Sequence, residues 1–314
     1  MISFGPVPSR RLGKSLGINN ITPAKTCSYG CIYCQVGKTI RKSCTRESFY
    51  EPEIIYEQVL KHLNKLDSDN HPDYLTFVSN GEPTLDENLG KSVRLLKTTG
   101  IPVAVISNAS LLFHDSVRED LYLADWVSLK MDAGDIITWY LINRPVAGLN
   151  FEKTLLSIQK FKKEFTGILC TETMLIEGVN TSPENISNLA GLIKDIRPAI
   201  AYLAIPTRPP AVKSFKAPDP EKLNLAWQTF EKSKINTELL TGFEGSDAGY
   251  TGNIVEDILN ITAVHPLRED SLLKLLQKDN ADYEVVNSLL KQRLIRSSIY
   301  EGKKFYMRDY HIDP

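Results

Sequence analysis

The 314-residue sequence predicts an α/β fold made of serial strand–helix units. Short apolar runs alternate with longer segments in which apolar residues recur at the helical period. Such alternation places parallel strands in one sheet, with the connecting helices on its faces. No G-x-G-x-x-G motif follows the first strand, which disfavours a doubly wound sheet. We therefore expect a TIM-like β/α barrel, closed or partial, of about six units.

The individual elements follow from the same periodicity. Strands are predicted at 15–22, 74–79, 102–107, 126–130, 167–175, 200–206 and 235–240. Helices are predicted at 51–66, 86–98, 113–123, 151–165, 183–196 and 219–234. The barrel domain is expected to occupy residues 1–240.

Beyond the barrel, the sequence indicates a connector and a small second domain. Residues 241–262 combine a glycine-rich stretch with a short helix and are assigned to the connector. A predicted helix pair follows, at 268–277 and 283–292. The next segment alternates around the turn Glu301-Gly302, as a hairpin does. Two helices and a hairpin are the pattern of a winged helix, so a winged-helix-like domain is expected over residues 263–314.

The composition limits the class of protein. Hydrophobic residues make up 42% and charged residues 24% of the chain, as in ordinary globular proteins. No apolar run reaches about 18 residues, and the N-terminus has no apolar signal region, so a cytoplasmic protein without a membrane segment is expected. Five cysteines, three of them close together, favour metal-bound thiolates in a reducing compartment over disulfides.

Basic residues are concentrated near the N-terminus. Residues 1–46 hold eight basic side chains and no acidic one, whereas the rest of the chain holds 29 basic and 38 acidic residues. A basic surface there would attract an anionic cosubstrate, an acidic electron donor or a phosphate backbone. An ordinary solvated surface is the alternative that the sequence leaves open.

Cys27, Cys31 and Cys34 stand in the segment KTCSYGCIYCQVG with the spacing C-x3-C-x2-C. Structural zinc sites have four ligands, so zinc would require a distant fourth ligand such as Cys44 or His62. A buried thiol cluster without metal is a further alternative, but neighbouring thiols oxidise readily. A [4Fe-4S] cluster held by three thiolates keeps one iron open to a non-protein ligand. The spacing therefore favours an iron–sulfur cluster.

This spacing, with Tyr33 directly before Cys34, resembles the signature loop of the radical S-adenosylmethionine (radical SAM) superfamily. The resemblance implies that S-adenosylmethionine binds the open iron and that Tyr33 contacts the cofactor. It further implies that an electron passed to the cluster cleaves S-adenosylmethionine to methionine and a 5′-deoxyadenosyl radical, which abstracts hydrogen from a substrate. A low-potential donor such as a flavodoxin or ferredoxin would supply the electron.

Further segments resemble motifs of the family at successive strand ends. In the segment SNGEPTL, Gly81 and Glu82 would contact the methionine amino group, and Pro83 would fix the turn. A glycine allows the backbone to approach closely, and a carboxylate suits an ammonium group. An ordinary turn with a helix-capping acid is the alternative. The other candidate binding residues are Ser107, Asn108, Ser128, Lys130 and Asp132.

All of these residues lie at or just after the C-terminal ends of predicted strands, where α/β barrels place their active sites. In the next strand, Cys170, Glu172 and Met174 share one face because strand side chains alternate.

The segments GPVPSRRLGKSLGIN and SNGEPTL are similar to a group of iron–sulfur oxidoreductases allied to the tRNA wyosine-base synthases. Those synthases carry additional cysteines for a second cluster, whereas this chain has only Cys44 and Cys170 to spare. The wyosine reaction is therefore disfavoured. We expect a radical SAM enzyme of oxidoreductase or transferase type, with an RNA base, a peptide or a small metabolite as its substrate.

Two other functions stay open at this level. An iron–sulfur redox sensor would bind nucleic acid through the winged helix, where residues 281–308 hold six basic and three acidic residues. Its docking face would include Arg293, Arg296, Lys303 and Lys304. Such a sensor would not need Gly81-Glu82 at the mouth of a barrel. A zinc-stabilised scaffold protein is the other alternative.

Overall fold

The computed structural model describes residues 2–22, 24–242 and 251–309. Its strands are β1 (Ser3–Ser9), β2 (Gly13–Ile18), β3 (Thr26–Cys27), β4 (Arg41–Lys42), β5 (Tyr74–Phe77), β6 (Val103–Ser107), β7 (Trp126–Lys130), β8 (Ile168–Met174), β9 (Ile200–Ala204), β10 (Thr237–Leu240), β11 (Leu267–Arg268), β12 (Ile295–Tyr300) and β13 (Lys303–Arg308). Its helices are α1 (Pro52–Leu63), α2 (Leu89–Lys97), α3 (Asp115–Leu121), α4 (Ile136–Asn143), α5 (Phe151–Glu164), α6 (Pro183–Ile196), α7 (Pro220–Lys232), α8 (Ile254–Val264), α9 (Glu269–Lys278) and α10 (Glu284–Lys291). Short 3-10 helices lie at Ser68–Asn70 and Pro83–Leu85.

The largest sheet has eight strands in the order β1-β2-β5-β6-β7-β8-β9-β10. β1 pairs with β2 in the antiparallel direction, and every later pair in this sheet is parallel. β1 and β10 form the two edges, so the curled sheet is a partial barrel. The carboxyl ends of its seven parallel strands share one rim. The predicted α/β fold with a partial barrel is confirmed.

The barrel helices form where the sequence places apolar residues at helical spacing. α5, for example, buries Phe151, Ile158 and Phe161 on one side, against the main core. Ser182 caps the first turn of α6, and a proline occupies the first helical position, where no backbone donor is needed. All seven strands and six helices predicted for the barrel are present.

Two barrel elements were not predicted from the sequence. β1 contains two prolines, which usually argue against a strand, but it lies at the edge of the sheet, where a missing N–H donor is tolerated. α4 reads IITWYLIN, and its exposed positions include Ile136, Ile137, Tyr140 and Leu141. Because its outer face is apolar, α4 lacks the amphipathic pattern by which a surface helix is recognised.

His62 of α1 joins this helix to the edge strand β1. Its Nε2 lies 2.9 Å from the Gly5 carbonyl oxygen and its Nδ1 lies 2.9 Å from Ser3 Oγ. A carbonyl only accepts, so Nε2 carries the proton and Nδ1 accepts from the Ser3 hydroxyl. Both ring nitrogens are therefore engaged, and His62 is not free to serve as the distant zinc ligand considered above.

A second, smaller core lies at the C-terminal end of the chain. It is formed by α8, α9 and α10 together with a three-stranded sheet in the order β11-β13-β12. The predicted helix pair and hairpin are present, and the turn of the hairpin is at Glu301-Gly302. α8, which the sequence assigns to the connector, contributes Ile258 and Ile261 to this core.

Residues 243–250 of the predicted connector and 310–314 of the predicted winged-helix-like domain lie outside the described residues. The assignment of this region as a winged helix stays a prediction. None of the helices in the described ranges combines the length and the apolar composition that a membrane-spanning helix needs.

The buried position of His62 predicts a pH dependence of stability. Burial lowers the pKa of His62, so the folded state favours its neutral form. The stability that His62 contributes is fully present above its pKa in the unfolded chain, about 6.5. It is lost as the pH falls through the lower pKa that His62 has in the folded state. The free energy of unfolding is therefore expected to decrease as the pH drops below about 6.5.

Chemical denaturation across this pH range measures the effect. In His62→Gln, the amide still donates to the Gly5 carbonyl but does not titrate, so the pH dependence should weaken. His71→Gln changes an exposed histidine and serves as the control. An equal slope in His62→Gln and wild type would contradict the prediction.

Candidate active site

The cysteine loop, residues 26–37, lies over the rim formed by the carboxyl ends of the parallel strands. Backbone hydrogen bonds hold it there, among them Glu82 N to Thr26 O (3.1 Å), Ile32 N to Ile142 O (3.0 Å) and Val146 N to Ser28 O (2.9 Å). The loop is thus attached to the turn after β5, to the end of α4 and to the segment behind α4. These contacts place all three cysteines next to the strand ends.

Each of the three cysteine sulfurs has an N–H donor directed at it. The ammonium of Lys25 lies 3.0 Å from Cys34 Sγ. The side-chain amide of Asn143 lies 3.4 Å from Cys31 Sγ, and that of Asn108 lies 3.5 Å from Cys27 Sγ. Donors of this kind stabilise negative charge on sulfur and tune a bound metal centre.

The thiols of Cys27 and Cys31 are held neutral unless a cation is bound. Burial raises the pKa of Cys27 to about 12, and the charge of Cys31 adds to this effect. Burial, followed by the Asp132 carboxylate, raises the pKa of Cys31 to about 12. Burial alone would lower the pKa of Lys25, but the neighbouring cysteines outweigh it and raise the pKa. Metal binding at this site would therefore release protons while Lys25 stays cationic.

Gly81 allows the turn after β5 to touch the cysteine loop. Its φ of +144° is a backbone conformation that glycine adopts and other residues avoid. A Cβ atom at this position would overlap the carbonyl oxygen of Thr26. Gly81 also forms a bridge with Thr26, directly before Cys27. Only glycine permits this approach, and Pro83 then starts the 3-10 helix that follows.

Glu82 is buried and organises the neighbouring strand ends. Its Oε1 accepts from Thr84 N (3.1 Å), Thr84 Oγ1 (2.7 Å) and Ser107 Oγ (2.8 Å), and its Oε2 accepts from Asn108 N (2.7 Å). The carboxylate therefore caps the short helix, as the alternative for this motif proposed. Oε1 is saturated, whereas Oε2 keeps acceptor capacity for a further donor.

Asn108 connects Glu82 to the cysteines. Its backbone N–H donates to Glu82, and its side-chain amide reaches both Cys27 Sγ and Ser28 Oγ, the latter at 2.9 Å. Ser28 in turn pairs with Ser110 at 2.6 Å. The end of β6 is therefore tied to the cysteine loop by a chain of hydrogen bonds.

Asp132, directly after β7, holds two residues of the site in position. Its Oδ2 accepts from the hydroxyl of Tyr33 and from the amide of Asn143 (2.8 Å), and its Oδ1 accepts from Met174 N (2.8 Å). The side chain is closed to solvent. Asp132 therefore fixes Tyr33 and Asn143, both of which adjoin the cysteines.

Lys130, Glu172 and Arg11 form a largely buried ionic cluster on the concave face of the sheet. Lys130 Nζ lies 2.8 Å from Glu172 Oε1, and Arg11 pairs with Glu172 Oε2. Arg11 stands between β1 and β2 and reaches β8 across the sheet, which places this cluster inside the curl. Lys130 also lies over the ring of Tyr33, 4.9 Å from its centre. Burial lowers the pKa of Lys130, an effect that the Asp132 carboxylate opposes.

Ser128 lies on the same face of β7 as Lys130, two residues before it, and is fully buried. Its hydroxyl makes no hydrogen bond to the described residues. Cys170 is its neighbour in register on β8. The structure therefore places Ser128 deeper inside the sheet than the residues that surround the cysteines.

Several residues of the site were not predicted from the sequence. Lys25 adjoins the cysteine motif, so a lysine beside three thiols was an available signal. Asn143 lies in the helix that was not predicted, and Arg11 contacts Glu172 only because the chain folds back across the sheet. No local pattern marks these two residues.

The donor set around the three cysteines is compatible with an iron–sulfur cluster. Among the described residues, no group of three or more His, Cys, Asp or Glu side chains lies close enough together to hold one metal ion. The ligands of an iron–sulfur cluster bind different irons and stand farther apart than the ligands of one ion. Three thiols, each with its own N–H donor, suit such a cluster.

Comparison with known proteins identifies the family. The family model described as the radical SAM superfamily matches residues 21–190. The chain belongs to the radical SAM superfamily. It is therefore an enzyme, and membership implies S-adenosylmethionine, an iron–sulfur cluster, an electron donor and a substrate. The family predicted from the cysteine motif is confirmed.

The relatives of this radical SAM protein cover from about two thirds to almost all of its length. A UPF0026 protein of Methanocaldococcus jannaschii is 43% identical over 310 residues, which cover 98% of this chain and 96% of that protein. A UPF0026 protein of Synechocystis is 39% identical over 207 residues, which cover 66% of this chain and 76% of that protein.

Solved structures share the fold. TYW1, a wyosine synthase whose structure holds a lysine–pyruvate adduct, superposes with a TM-score of 0.54 at 19% identity, over 70% of this chain and 75% of that chain. Streptococcus suis SuiB bound to S-adenosylmethionine superposes with a TM-score of 0.52 at 16% identity, over 71% of this chain and 49% of that chain. At these identities the likeness establishes the fold alone.

The buried ionic cluster predicts a large effect on stability. Glu172→Gln would remove the carboxylate charge that Arg11 and Lys130 share in a largely buried place, so the free energy of unfolding should fall by about 3–5 kcal/mol. Urea denaturation measures this loss. The control Glu47→Gln breaks the exposed pair with Arg41 and should cost at most about 1 kcal/mol. Equal losses in the two variants would contradict the burial argument.

Proposed function

We propose that Cys27, Cys31 and Cys34 hold a [4Fe-4S] cluster whose remaining iron binds S-adenosylmethionine. The observation that carries the proposal is the N–H donor at each sulfur, since Lys25, Asn108 and Asn143 come from three separate parts of the chain. A loop of buried thiols alone would not need three such donors. When bound, a reduced cluster supplies the electron that cleaves S-adenosylmethionine to methionine and a 5′-deoxyadenosyl radical able to abstract hydrogen from a substrate.

Gly81 and Glu82 would receive the methionine end of S-adenosylmethionine. Gly81 presents bare backbone beside the cysteine loop, and Glu82 Oε2 accepts only one hydrogen bond from the described residues. Burial raises the pKa of Glu82, so a cation at this place would offset the cost of keeping it charged. An ammonium group has the charge and the donors that this oxygen lacks.

Ser107, Asn108, Tyr33 and Asp132 would keep the site rigid. Ser107 and Asn108 fix the carboxylate of Glu82, and Asp132 fixes the ring of Tyr33. Lys130, whose ammonium lies 4.9 Å from the centre of the Tyr33 ring, would meet the substrate or the ribose. A preorganised site of this kind would confine the 5′-deoxyadenosyl radical and limit its side reactions.

We infer that the C-terminal hairpin covers the barrel mouth. Tyr300 Oη donates to the carbonyl oxygen of Pro206, directly after β9, at 3.3 Å. A cavity of about 110 Å³ lies at this junction, between Thr207 on the barrel side and Lys303 and Phe305 on the hairpin side. We assign the C-terminal region a winged-helix-like shape and a role as a cover over the substrate.

The two alternative functions find less support. A zinc scaffold would need a fourth ligand, and both nitrogens of His62 are already engaged. A nucleic-acid sensor would need free basic side chains, but Lys304 pairs with Glu269 at 3.1 Å. The modest basic excess of this region is therefore further reduced.

Loss of one cysteine should abolish the cluster. Anaerobically purified protein is expected to be brown, with about four irons per chain. Cys34→Ala should lose the colour and the iron, because one iron loses its protein ligand. Cys44→Ala is the control and should keep both. Iron analysis and visible absorption test this, and a colourless wild-type protein with one zinc per chain would refute the cluster.

Removal of the Glu82 charge should weaken binding of S-adenosylmethionine. In Glu82→Gln a charge-assisted hydrogen bond becomes a neutral one, so the binding free energy should drop by about 1–3 kcal/mol while the cluster is retained. Equilibrium titration of the cluster-loaded protein measures the affinity. Ser107→Ala removes one neutral donor to Glu82 and should have a smaller effect. Unchanged affinity in Glu82→Gln would leave Glu82 only its capping role.

A further inference from the structure

The outer face of α4 is an exposed apolar surface. Ile137 is 71% exposed, Tyr140 53% and Leu141 56%. Their spacing places them on one side of the helix, followed one turn later by the exposed Arg144. Single exposed apolar side chains are ordinary, but a contiguous group on successive turns is typical of a binding surface.

The inner side of the same helix touches the cysteine loop. Gly30 N donates to Asn143 O at 2.9 Å, and the Asn143 side chain donates to Cys31 Sγ. The exposed face of α4 and the candidate cluster are therefore separated by about the width of one helix, roughly 10 Å. Other barrel helices also expose apolar side chains. α4 is distinguished by its contact with a cysteine sulfur.

Positive charge borders this face. Lys42 Nζ lies 3.1 Å from the carbonyl oxygen of Arg144, so the two exposed basic residues are neighbours. Within the described ranges neither of them forms an ion pair with a carboxylate, whereas the nearby Arg41 is paired with Glu47. An apolar centre with a basic border suits an acidic protein partner.

We propose that the α4 patch, formed by Ile137, Tyr140, Leu141, Arg144 and Lys42, is the docking surface for a small acidic low-potential electron-transfer protein. This inference rests on the cluster assigned to the cysteine loop under the proposed function. In the docked complex the partner is oxidised by one electron and the cluster is reduced by one, and no bond or proton is transferred. The short path from α4 to Cys31 makes this face a suitable entry point, and electron-transfer interfaces are typically small and transient.

The test compares protein and chemical reductants on the full, cluster-loaded chain. A purified flavodoxin and a purified ferredoxin serve as probes, and calorimetric titration of each oxidised probe measures binding without turnover. Stopped-flow absorbance then measures reduction of the cluster by each reduced probe. The variant is Ile137→Ser, Leu141→Ser and Arg144→Gln combined. The matched control is Leu225→Ser with Lys232→Gln on α7, which changes exposed residues of the same kinds.

At least one probe is expected to bind wild type, and its affinity should fall as the ionic strength rises from about 0.05 M to about 0.5 M. The patch variant should bind this probe at least ten times more weakly, a loss of about 1.4 kcal/mol or more in binding free energy. Its cluster should also be reduced by the probe at least ten times more slowly. The control should match wild type. With dithionite, cleavage of S-adenosylmethionine should be the same in all three proteins.

Other outcomes overturn the proposal. The proposal fails if neither probe binds wild type. It also fails if the patch variant binds the probe as tightly as wild type does, or if the control variant loses as much affinity as the patch variant. If the variant loses self-association in sedimentation experiments but keeps probe binding, the patch is a contact between copies of the chain. Failure of wild type to cleave S-adenosylmethionine with dithionite would instead refute the proposed function, while the binding titration still decides on the patch.

Discussion

The backbone contact between Gly81 and Thr26 is the constraint on which the site depends. It brings the turn after β5 against the residue that precedes Cys27, with no room for a side chain. Because Glu82 follows directly, its carboxylate lies where it can accept from Asn108, whose amide in turn reaches Cys27. One close approach of two backbones thus sets the relative positions of a thiol, a carboxylate and an amide on three different strand ends.

Charge inside the barrel is kept tolerable by pairing. Glu172 lies between Arg11 and Lys130, and Asp132 is surrounded by donors from Tyr33, Asn143 and Met174. Unpaired charges at such depth would be costly. The thiols of Cys27 and Cys31 are held neutral chiefly by burial, which suits residues whose charge appears only when a metal centre binds.

α4 has two faces with different tasks. Asn143 on the inner side contacts Cys31, whereas Ile137, Tyr140 and Leu141 on the outer side meet solvent. An apolar outer face is costly to expose and is expected where it contributes to binding. A helix that touches a candidate redox centre on one side and offers a binding surface on the other is a suitable place for electrons to enter.

Local sequence patterns determined the architecture of this protein and the cysteine motif by which its family was predicted. Strand and helix periods depend on neighbouring residues, so the repeated units of the barrel could be predicted, as could the spacing of Cys27, Cys31 and Cys34. The position of Gly81-Glu82 after a strand was sufficient to place it at the rim, because parallel strands end on one side of the sheet.

Tertiary structure decided which side chains meet at the site. Arg11 reaches Glu172, and Asn143 reaches Cys31, through contacts between residues far apart in the chain, which no local period encodes. The same holds for Glu82, because the hydrogen bonds that it accepts from Ser107 and Asn108 exist only once β5 and β6 are paired. α4 escaped prediction because its outer face is apolar, and β1 because its prolines are tolerated only at the edge of a folded sheet.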